Sequence, residues 1–236
     1  MMNYQASFTL SSEQFDPHGN LLPSPVLWLA QRAADEHAYE LGVGFESMLA
    51  KKLLWVITQV RYQVCDALRP GETVTVKTWP LPPTKLGFER NFLVCDAQGK
   101  VCIQGMSNWV MIDTEERRFV TPQNLYPSEE YCMEKVFPDR AKRLRDFEAD
   151  SEAYACCPDE STIDYNGHVN NTFYPGFVLD SLGDFGGVIR AFQIDYIHEV
   201  MCRQPLTLYH KKQDDKILVK GLIDGETRSF TCTITI

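Results

Sequence analysis

Four polar residues in the second half of the chain have the types and spacing that water-activating chemistry requires. Asp164, Asn166 and His168 alternate in the stretch IDYNGHVNN, and Glu199 lies further along the chain. A carboxylate or imidazole within hydrogen-bond reach of a water molecule can take its proton and turn it into a nucleophile. A polar group aimed at a carbonyl stabilises the negative charge that such an attack creates. The set is therefore suited to hydrolysis.

The alternation in this motif has two interpretations. If the stretch is extended, period-two geometry places the Asp, Asn and His on one side, with Tyr165 and Gly167 on the other. Asp and Asn also bond readily to their own backbone, and a lone DxNxH pattern is more often a turn with locally satisfied side chains. The pattern alone favours the turn, and the catalytic interpretation gains support from the helix that comes after the motif.

This short helix is predicted over FYPGFVLDSLG. Its apolar face consists of Phe173, Phe177, Val178 and Leu182. Asn171 or Thr172 is the expected cap, Gly183 the expected end, and Pro175 is tolerable because it lies in the first turn. Backbone amides at a helix start are unsatisfied and partially positive, so they could hold a carbonyl oxygen as it becomes an oxyanion.

Glu199 is the predicted partner of the motif. Alternation in FQIDYIHEV places Glu199 on one strand face with Gln193, Asp195 and Ile197. At the end of that strand a carboxylate can reach across to a neighbouring loop. We therefore expect Glu199 and His168 to meet.

The motif has a near-copy early in the chain, FDPHGNLLPSPV. Asp16 and Gly19 match Asp164 and Gly167, while the Asn and His that accompany them change places. A helix is predicted after this copy too, since VLWLAQRAADEHAYELG carries apolar residues at helical spacing and Gly42 is a natural stop. The chain is thus predicted to contain an internal repeat.

Strand-rich stretches come after both helices and align with each other. Residues 60–79 align with 194–213, and residues 92–113 align with 221–236. The matched pairs are Tyr62 with Tyr196, Arg69 with Arg203, and Thr73 with Thr207. Each half thus consists of a turn, one helix and several antiparallel strands, which predicts an α+β fold in two tandem copies. The charged, proline-flanked segment 126–150 is predicted to be a linker able to form a short helix.

The first copy is predicted to be chemically incomplete. Matching Tyr62 to Tyr196 puts Cys65 where the second half has Glu199, and the adjacent Asp66 would face the other side of a strand. Apolar LLPSP also replaces the polar VNN at the end of the second motif. The first half therefore offers apolar surface rather than chemistry.

With these features in this order, the chain resembles the acyl-acyl carrier protein thioesterases of the double hot-dog type, a family that ends fatty-acid synthesis in plants and has bacterial relatives. The resemblance rests on ELGVG, LLWVITQVRYQV, TVKTWP and SNWVMID, and on DYNGHVNN with IDYIHEV after it. It implies a tandem double hot-dog fold, each half one central helix wrapped by a curved antiparallel sheet. The expected division is an acyl-chain domain at 1–128, a linker at 129–150 and a catalytic domain at 151–236.

The resemblance also implies a catalytic set, because the family uses the matching Asp, Asn, His and Glu. We expect Glu199 to be the general base and His168 to support proton transfer. Asp164 would orient or charge-stabilise these groups, and Asn166 would polarise the carbonyl or position the water. Many members place a cysteine after the glutamate, but Val200 stands there in this chain. A covalent cysteine mechanism at that position is therefore excluded.

Two substrate surfaces are predicted beside this set. The family encloses the acyl chain in the first half, and the candidate pocket residues are Leu27, Trp28, Leu54 and Val56. The chain carries a net charge of -9, so docking an acidic acyl carrier protein would need local basic residues. The candidate docking residues are Arg140, Lys142, Arg143 and Arg145, with Arg117 and Arg118 as a second candidate.

Composition, charge and cysteine spacing limit the class of protein to which the chain can belong. With 236 residues, 44% of them hydrophobic and 23% charged, the chain can build a globular core. The negative charge argues against general nucleic-acid binding, and no apolar run is long enough for a membrane span. The eight cysteines are scattered without metal-ligand spacing, and the N-terminus lacks signal-peptide character. We expect a cytoplasmic protein without metal or cofactor.

Three alternatives stay open at this point. The same fold could hydrolyse acyl-coenzyme A, or it could bind lipid without catalysis. A hot-dog dehydratase has less support, because only an Asp/His pairing suggests it. Two hot-dog units in one chain could form a monomer or a homodimer, and the preferred acyl chain length is undetermined.

Overall fold

Helices and strands occur in the same order in both halves of the chain. The structure is a computed structural model that describes residues 2–85, 87–120, 125–126, 131–183 and 187–236. The first half contains β1 (Tyr4–Thr9), α1 (Pro23–Glu40), α2 (Phe45–Leu49), β2 (Leu53–Val64), β3 (Thr73–Pro80), β4 (Phe88–Cys95), β5 (Val101–Asp113) and β6 (Arg118–Val120). The second half contains β7 (Ser151–Cys156), α3 (Tyr174–Leu182), β8 (Ala191–Tyr196), β9 (Leu206–Gln213), β10 (Lys216–Ile223) and β11 (Thr227–Thr235).

The strands of the described residues form one antiparallel sheet. Its order is β1-β3-β4-β5-β2-β8-β11-β10-β9-β7, and β6 pairs with β5. This order is symmetric about the seam between β2 and β8, where Val60 pairs with Ile194. The predicted α+β tandem double hot-dog class is confirmed, because each half supplies five strands in equivalent positions around one longer helix.

The strand register corrects part of the predicted internal alignment. The ladder partners traced outward from Tyr62 are Gly105, Phe92 and Thr78. Those traced from Tyr196 are Phe230, Gly221 and Leu208. Thr207 therefore lies at the level of Lys77, and the predicted match of Thr73 with Thr207 is wrong by four residues. The cause is that Thr78 lies 16 positions after Tyr62 in the sequence, whereas the equivalent Leu208 lies 12 positions after Tyr196.

Each half packs a phenylalanine ring over a glycine at the same level of the sheet. In the first half the ring of Phe92 covers Gly105, and in the second the ring of Phe230 covers Gly221. A Cβ at either glycine would overlap the ring, so no larger residue fits there. The ring and the glycine exchange strands between the halves, which conceals this part of the repeat in the sequence.

The two longer helices share one core beneath the sheet. Leu27 of α1 and Val178 of α3 are buried together with Val60 and Ile194 of the central strands. Helix α1 begins at Pro23, earlier than predicted, because proline suits the first turn of a helix. It ends before Gly42, as predicted, where the backbone takes the left-handed conformation that glycine favours. No helix in the described part of the chain is long and apolar enough to cross a membrane.

The segment 136–147, which we term the strap, crosses the outer face of the sheet at the seam. The buried carboxylate of Asp195 accepts hydrogen bonds from the Leu144 amide at 2.6 Å and the Gln59 side chain at 2.7 Å. The Gln193 side chain donates to Asp195 at 3.1 Å and to the Lys142 carbonyl at 2.8 Å. Residues 131–150 contain no helix, so the short helix expected here is wrong. Side chains of the sheet satisfy the strap backbone instead.

Basic side chains of the sheet contact the strap on both sides of the Asp195 hydrogen bonds. The Arg61 guanidinium lies 4.1 Å from the centre of the Phe137 ring. Lys220 donates to Asp146 at 3.1 Å and to the Phe147 carbonyl at 2.7 Å. Because the inward residues of β2 and β8 face the helices, the strap and the helices lie on opposite faces of the sheet.

We predict that Asp195→Asn lowers the free energy of unfolding by about 3 kcal/mol. The new amide group would point two donors at a site where three donors already converge. Urea unfolding should show the loss, and Asp150→Asn, which changes an exposed aspartate, should leave the midpoint unchanged. Equal midpoints for the two variants would contradict the anchor role of Asp195.

Candidate active site

The second motif folds as a turn closed by its own aspartate. The Asp164 amide donates to the His168 carbonyl at 2.9 Å, and the Gly167 amide donates to the Asp164 carbonyl at 3.0 Å. The Asp164 carboxylate accepts from the Asn166 amide at 2.8 Å. Gly167 has a φ of 87°, which is incompatible with a strand. The extended arrangement is therefore wrong, and the alternation does not place the three side chains on one side.

The first motif makes the same turn. The Asp16 amide donates to the Asn20 carbonyl at 2.9 Å, and the Gly19 amide donates to the Asp16 carbonyl at 3.0 Å. The Asp16 carboxylate accepts from the His18 amide at 2.9 Å, and Gly19 has a φ of 85°. The echo in the sequence is thus a structural device present twice. By its position in the turn, Asn20 is the counterpart of His168.

This replacement of asparagine by histidine distinguishes the two copies of the turn. In the first copy the Asn20 side chain folds back and donates to the Asp16 carboxylate at 2.9 Å. In the second copy the imidazole Nε2 of His168 lies 3.5 Å from Oε2 of Glu199. The histidine therefore leaves the turn and faces a carboxylate from another part of the chain, as predicted.

Glu199 lies in an irregular segment after β8. The strand ends at Tyr196, so the alternation expected to place Glu199 at a strand end does not extend to it. The neighbouring Val200 is fully buried, and its carbonyl accepts from the Val169 amide at 2.8 Å. The Glu199 side chain is 66% exposed, which leaves its carboxylate open to water and substrate.

Helix α3 starts later than predicted and offers fewer free amides. Its cap position is Phe173, not Asn171 or Thr172. The Thr172 amide is bonded to the Asn170 side chain at 3.0 Å, and the Phe173 amide to the Asn170 carbonyl at 3.0 Å. Pro175 lies in the first turn, as predicted, and has no amide hydrogen. Fewer backbone amides are therefore left to bind an oxyanion, which makes the side chain of Asn166 the more important candidate donor.

The first half contacts the second turn through α2. The ring of Phe45, at the start of α2, lies 4.2 Å from the ring of Tyr165. Both side chains are exposed, so their contact covers part of the outer surface of the turn. Sequence reasoning missed this helix, since its five residues are too few to show a helical pattern.

Two adjoining cavities lie between α1 and the sheet of the first half. The first, of about 10 Å³, is lined by Leu27, Ala30, Gln31, Ala34, Ile57, Val60, Phe92, Ser107, Trp109 and Asn171. The second, of about 50 Å³, is lined by Ala34, Asp35, Ala38, Val43, Trp55, Phe88, Glu89, Arg90, Trp109 and Tyr126. Ala34 and Trp109 border both cavities. Asn171, three residues after His168, borders the first, so the second half contributes to its lining.

The predicted acyl-pocket residues match these cavities only in part. Leu27 lines the first cavity. The other three are Trp28, Leu54 and Val56, and none of them lines either cavity. Trp28 is 46% exposed on α1, and alternation along β2 turns Trp55 and Ile57 toward the cavities instead of their neighbours.

A buried guanidinium lies beside the second cavity. Nη1 of Arg90 is 3.0 Å from Nδ1 of His37 and 3.3 Å from the Thr78 hydroxyl. Burial, and then the charge of Arg90, lower the pKa of His37 from its ordinary value of 6.5 to about 4. His37 is therefore neutral near pH 7 and can accept the hydrogen bond from Arg90.

Across the described residues, no cluster of His, Cys, Asp or Glu forms a metal site.

The predicted docking residues lie in two places. The four strap cations, Arg140, Lys142, Arg143 and Arg145, are all exposed on the outer face of the sheet. Arg117, in the turn between β5 and β6, and Arg118, the first residue of β6, are both exposed. Because Leu53 pairs with Asp113 and β2 runs antiparallel to β8, this turn lies at the end of the sheet where β8 leads to the Glu199 segment.

Comparison with known proteins gives consistent matches in sequence. A family model described as the acyl-ACP thioesterase N-terminal domain matches residues 1–125. A chloroplastic acyl-(acyl-carrier-protein) hydrolase of Cuphea viscosissima is 29% identical over 169 residues, which cover 64% of this chain and 40% of that protein. A chloroplastic palmitoyl-acyl carrier protein thioesterase of Arabidopsis thaliana is 33% identical over 152 residues, which cover 60% and 37%. The chain thus spans about 40% of the length of these curated relatives.

Solved structures share the fold over the whole chain. An acyl-ACP thioesterase from Bacteroides thetaiotaomicron superposes with a TM-score of 0.91 at 20% identity, covering 99% of this chain and 97% of that one. The 12:0-ACP thioesterase from Umbellularia californica superposes with a TM-score of 0.85 at 21% identity, covering 100% and 97%. Because the sequence identities are this low, these two matches show similarity of fold only.

We predict a pH-dependent loss of stability through His37. Its folded-state pKa lies below the unfolded value, so its contribution is present above pH 6.5 and is lost as the pH falls toward 4. Between pH 7 and 4.5, the free energy of unfolding measured with urea should fall by about 2 kcal/mol more in the wild type than in His37→Gln. His18→Gln, at an exposed histidine, should keep the wild-type dependence. An unchanged dependence in His37→Gln would contradict the assignment.

Proposed function

Because the chain belongs to the acyl-ACP thioesterase family, we propose that it hydrolyses the thioester of fatty acyl chains carried by acyl carrier protein and so ends fatty-acid synthesis. The names of its relatives support this substrate class. The observation that carries the proposal is the 3.5 Å approach of His168 to Glu199 beside a turn whose first copy has neither residue. The closely matched architecture of a bacterial acyl-ACP thioesterase is consistent with it.

The proposed mechanism is direct attack by water. Glu199 accepts a proton from a water molecule, and the water oxygen forms a bond to the thioester carbonyl carbon. The carbon–sulfur bond then breaks, and His168 passes a proton to the leaving sulfur. The products are the free fatty acid and the thiol of the carrier arm. Val200 comes directly after Glu199, so a cysteine nucleophile is not available at that position.

Asp164 and Asn166 have supporting roles in this scheme. The Asp164 carboxylate is engaged with the turn backbone, so it orients His168 and is not itself the base. The Asn166 side chain is exposed beside the turn and can polarise the carbonyl. Amides at the start of α3 contribute less, because several of them are already bonded.

The two halves divide binding and chemistry. We assign the acyl chain to the domain at 1–128, where the cavities lie between α1 and the sheet and Asn171 of the second half borders the first of them. We assign catalysis to the domain at 151–236, and the linker at 129–150 includes the strap. Apolar and aromatic lining with few polar groups suits an alkyl chain.

The eight cysteines are free, which supports a reducing, cytoplasmic compartment. Pairing of β2 with β8 already joins two hot-dog units, so a monomer suffices for the proposed site, and a homodimer would add a second copy of it.

We predict that His168→Asn and Glu199→Gln each lower kcat on acyl-acyl carrier protein by about a hundredfold or more. His168→Asn reproduces the residue of the first copy, so the turn should fold normally while losing its imidazole. The matched control is His18→Asn in the first copy, which should keep the wild-type rate. Near-normal hydrolysis by either site variant, with intact circular dichroism, would overturn the mechanism.

For carrier docking we propose the turn at Arg117 and Arg118. It lies at the end of the sheet that holds the Glu199 segment, whereas the strap lies on the face opposite α3. Acyl carrier protein is acidic, so exposed cations near the site entrance would steer it. An acyl-coenzyme A substrate lacks this protein surface and would not depend on the turn.

We predict that Arg117→Glu/Arg118→Glu raises KM for acyl-acyl carrier protein several-fold and leaves KM for the matched acyl-coenzyme A unchanged. Arg143→Glu/Arg145→Glu makes the same charge change on the strap and serves as the matched control. A larger effect from the strap variant would move the docking surface there. Faster wild-type hydrolysis of acyl-coenzyme A than of acyl-acyl carrier protein would reassign the substrate, and binding of both without hydrolysis would indicate a lipid-binding protein.

A further inference from the structure

We propose that Tyr174, together with Tyr196, is a positioning residue that sets the separation of His168 and Glu199. The inference rests on the proposed thioesterase function. Neither tyrosine belongs to the catalytic set predicted from the sequence. Both connect the start of α3 to the segment that carries Glu199, so we term the pair the tyrosine clamp.

The Tyr174 hydroxyl holds the backbone directly after Glu199. It accepts a hydrogen bond from the Val200 amide at 3.2 Å. The side chain of Ser229 acts on the same phenol, and its hydroxyl donates to the His198 carbonyl at 2.7 Å, directly before Glu199. Tyr174 and its neighbour Ser229 thus contact the backbone on the two sides of Glu199.

Tyr196 holds the other side of the site. Its hydroxyl donates to the Asn171 carbonyl at 2.8 Å, in the connection between His168 and α3. The two tyrosine rings pack edge to face with their centres 5.4 Å apart. The clamp therefore joins the His168 loop to the Glu199 segment through two hydrogen bonds and one ring contact.

Both phenols keep their protons at working pH. Burial is the main cause that raises the pKa of Tyr174 to about 12, and burial also raises the pKa of Tyr196 well above its ordinary value. Neither group can act as a base on water. Their contribution is therefore geometric, through neutral hydrogen bonds in a buried environment.

The first half lacks the clamp, as expected if the clamp serves chemistry. Tyr62 is the counterpart of Tyr196, and its ring stacks on Phe192 at 5.5 Å. Counted from the shared turn, Val26 stands where the second half has Tyr174. A buried valine fills the same core without reaching the backbone of a partner segment.

Glu199 needs such external support. Its side chain is 66% exposed and lies beyond the last residue of β8, where the described pairing is an isolated bridge between His168 and Met201 and not a ladder. The 3.5 Å distance between His168 and Glu199 depends on where the backbone presents the carboxylate. A displacement of about 1 Å at a catalytic group commonly costs up to a hundredfold in rate.

The test compares Tyr174→Phe with Tyr62→Phe, the matched loss of a hydroxyl in the first half. Tyr174→Phe keeps the ring packing and should lower kcat on acyl-acyl carrier protein about tenfold or more, with KM within about twofold. Hydrogen exchange at residues 197–201 should become faster in the same variant. Tyr62→Phe should keep the wild-type kcat and the wild-type exchange at 197–201.

The outcomes separate the clamp from the proposed function. A wild-type kcat in Tyr174→Phe, or unchanged exchange at 197–201, would overturn the clamp while hydrolysis by the wild type stands. A kcat loss of equal size in Tyr62→Phe would also overturn it, because the effect would then be one of general stability. A wild-type chain without thioester hydrolysis would overturn the proposed function and the catalytic purpose of the clamp together. Tyr196→Phe provides a second variant and should lower kcat in the same direction.

Discussion

The site depends on an aspartate whose carboxylate accepts a hydrogen bond from the backbone amide two residues further along the same turn. Asp164 closes the second turn in this way, and Asp16 closes the first with nearly the same distances. The turn fixes the backbone at its fifth residue, so the identity of that residue decides what the copy can do. Asn20 returns its side chain to the turn, whereas His168 faces Glu199. The same turn thus binds its own asparagine in one half and presents a histidine to Glu199 in the other.

The sheet makes this division possible because it joins the halves at its centre. Pairing of β2 with β8 places the end of β8 beside the beginning of β2, so the Glu199 segment lies next to the first half. The cavities lie under α1, and the ring of Phe45 contacts Tyr165 of the second turn. The buried Asp195 anchors the strap over the same seam. In the proposed function, binding surface and chemistry come from different halves and meet at one end of the sheet.

The sequence predicted the double hot-dog class, the two longer helices and the meeting of His168 with Glu199. These features derive from helical periodicity, from the internal repeat and from the resemblance to a family. The extended motif and the strand position of Glu199 were wrong, because Gly167 adopts a positive φ and β8 ends at Tyr196. Periodicity gives no information about a side chain that bonds its own backbone. The strap anchor could have been suspected from Asp195, a carboxylate between Ile194 and Tyr196 in a strand, but its partner Leu144 lies far away in sequence.

In the proposed mechanism His168 and Glu199 act as one unit. A double-mutant cycle on kcat, with His168→Asn, Glu199→Gln and the combined variant on an acyl-acyl carrier protein substrate, measures this directly. Groups that act together are strongly non-additive, so we expect the double variant to be about as slow as the slower single variant. If the two losses simply multiply, the residues act independently and do not form one unit.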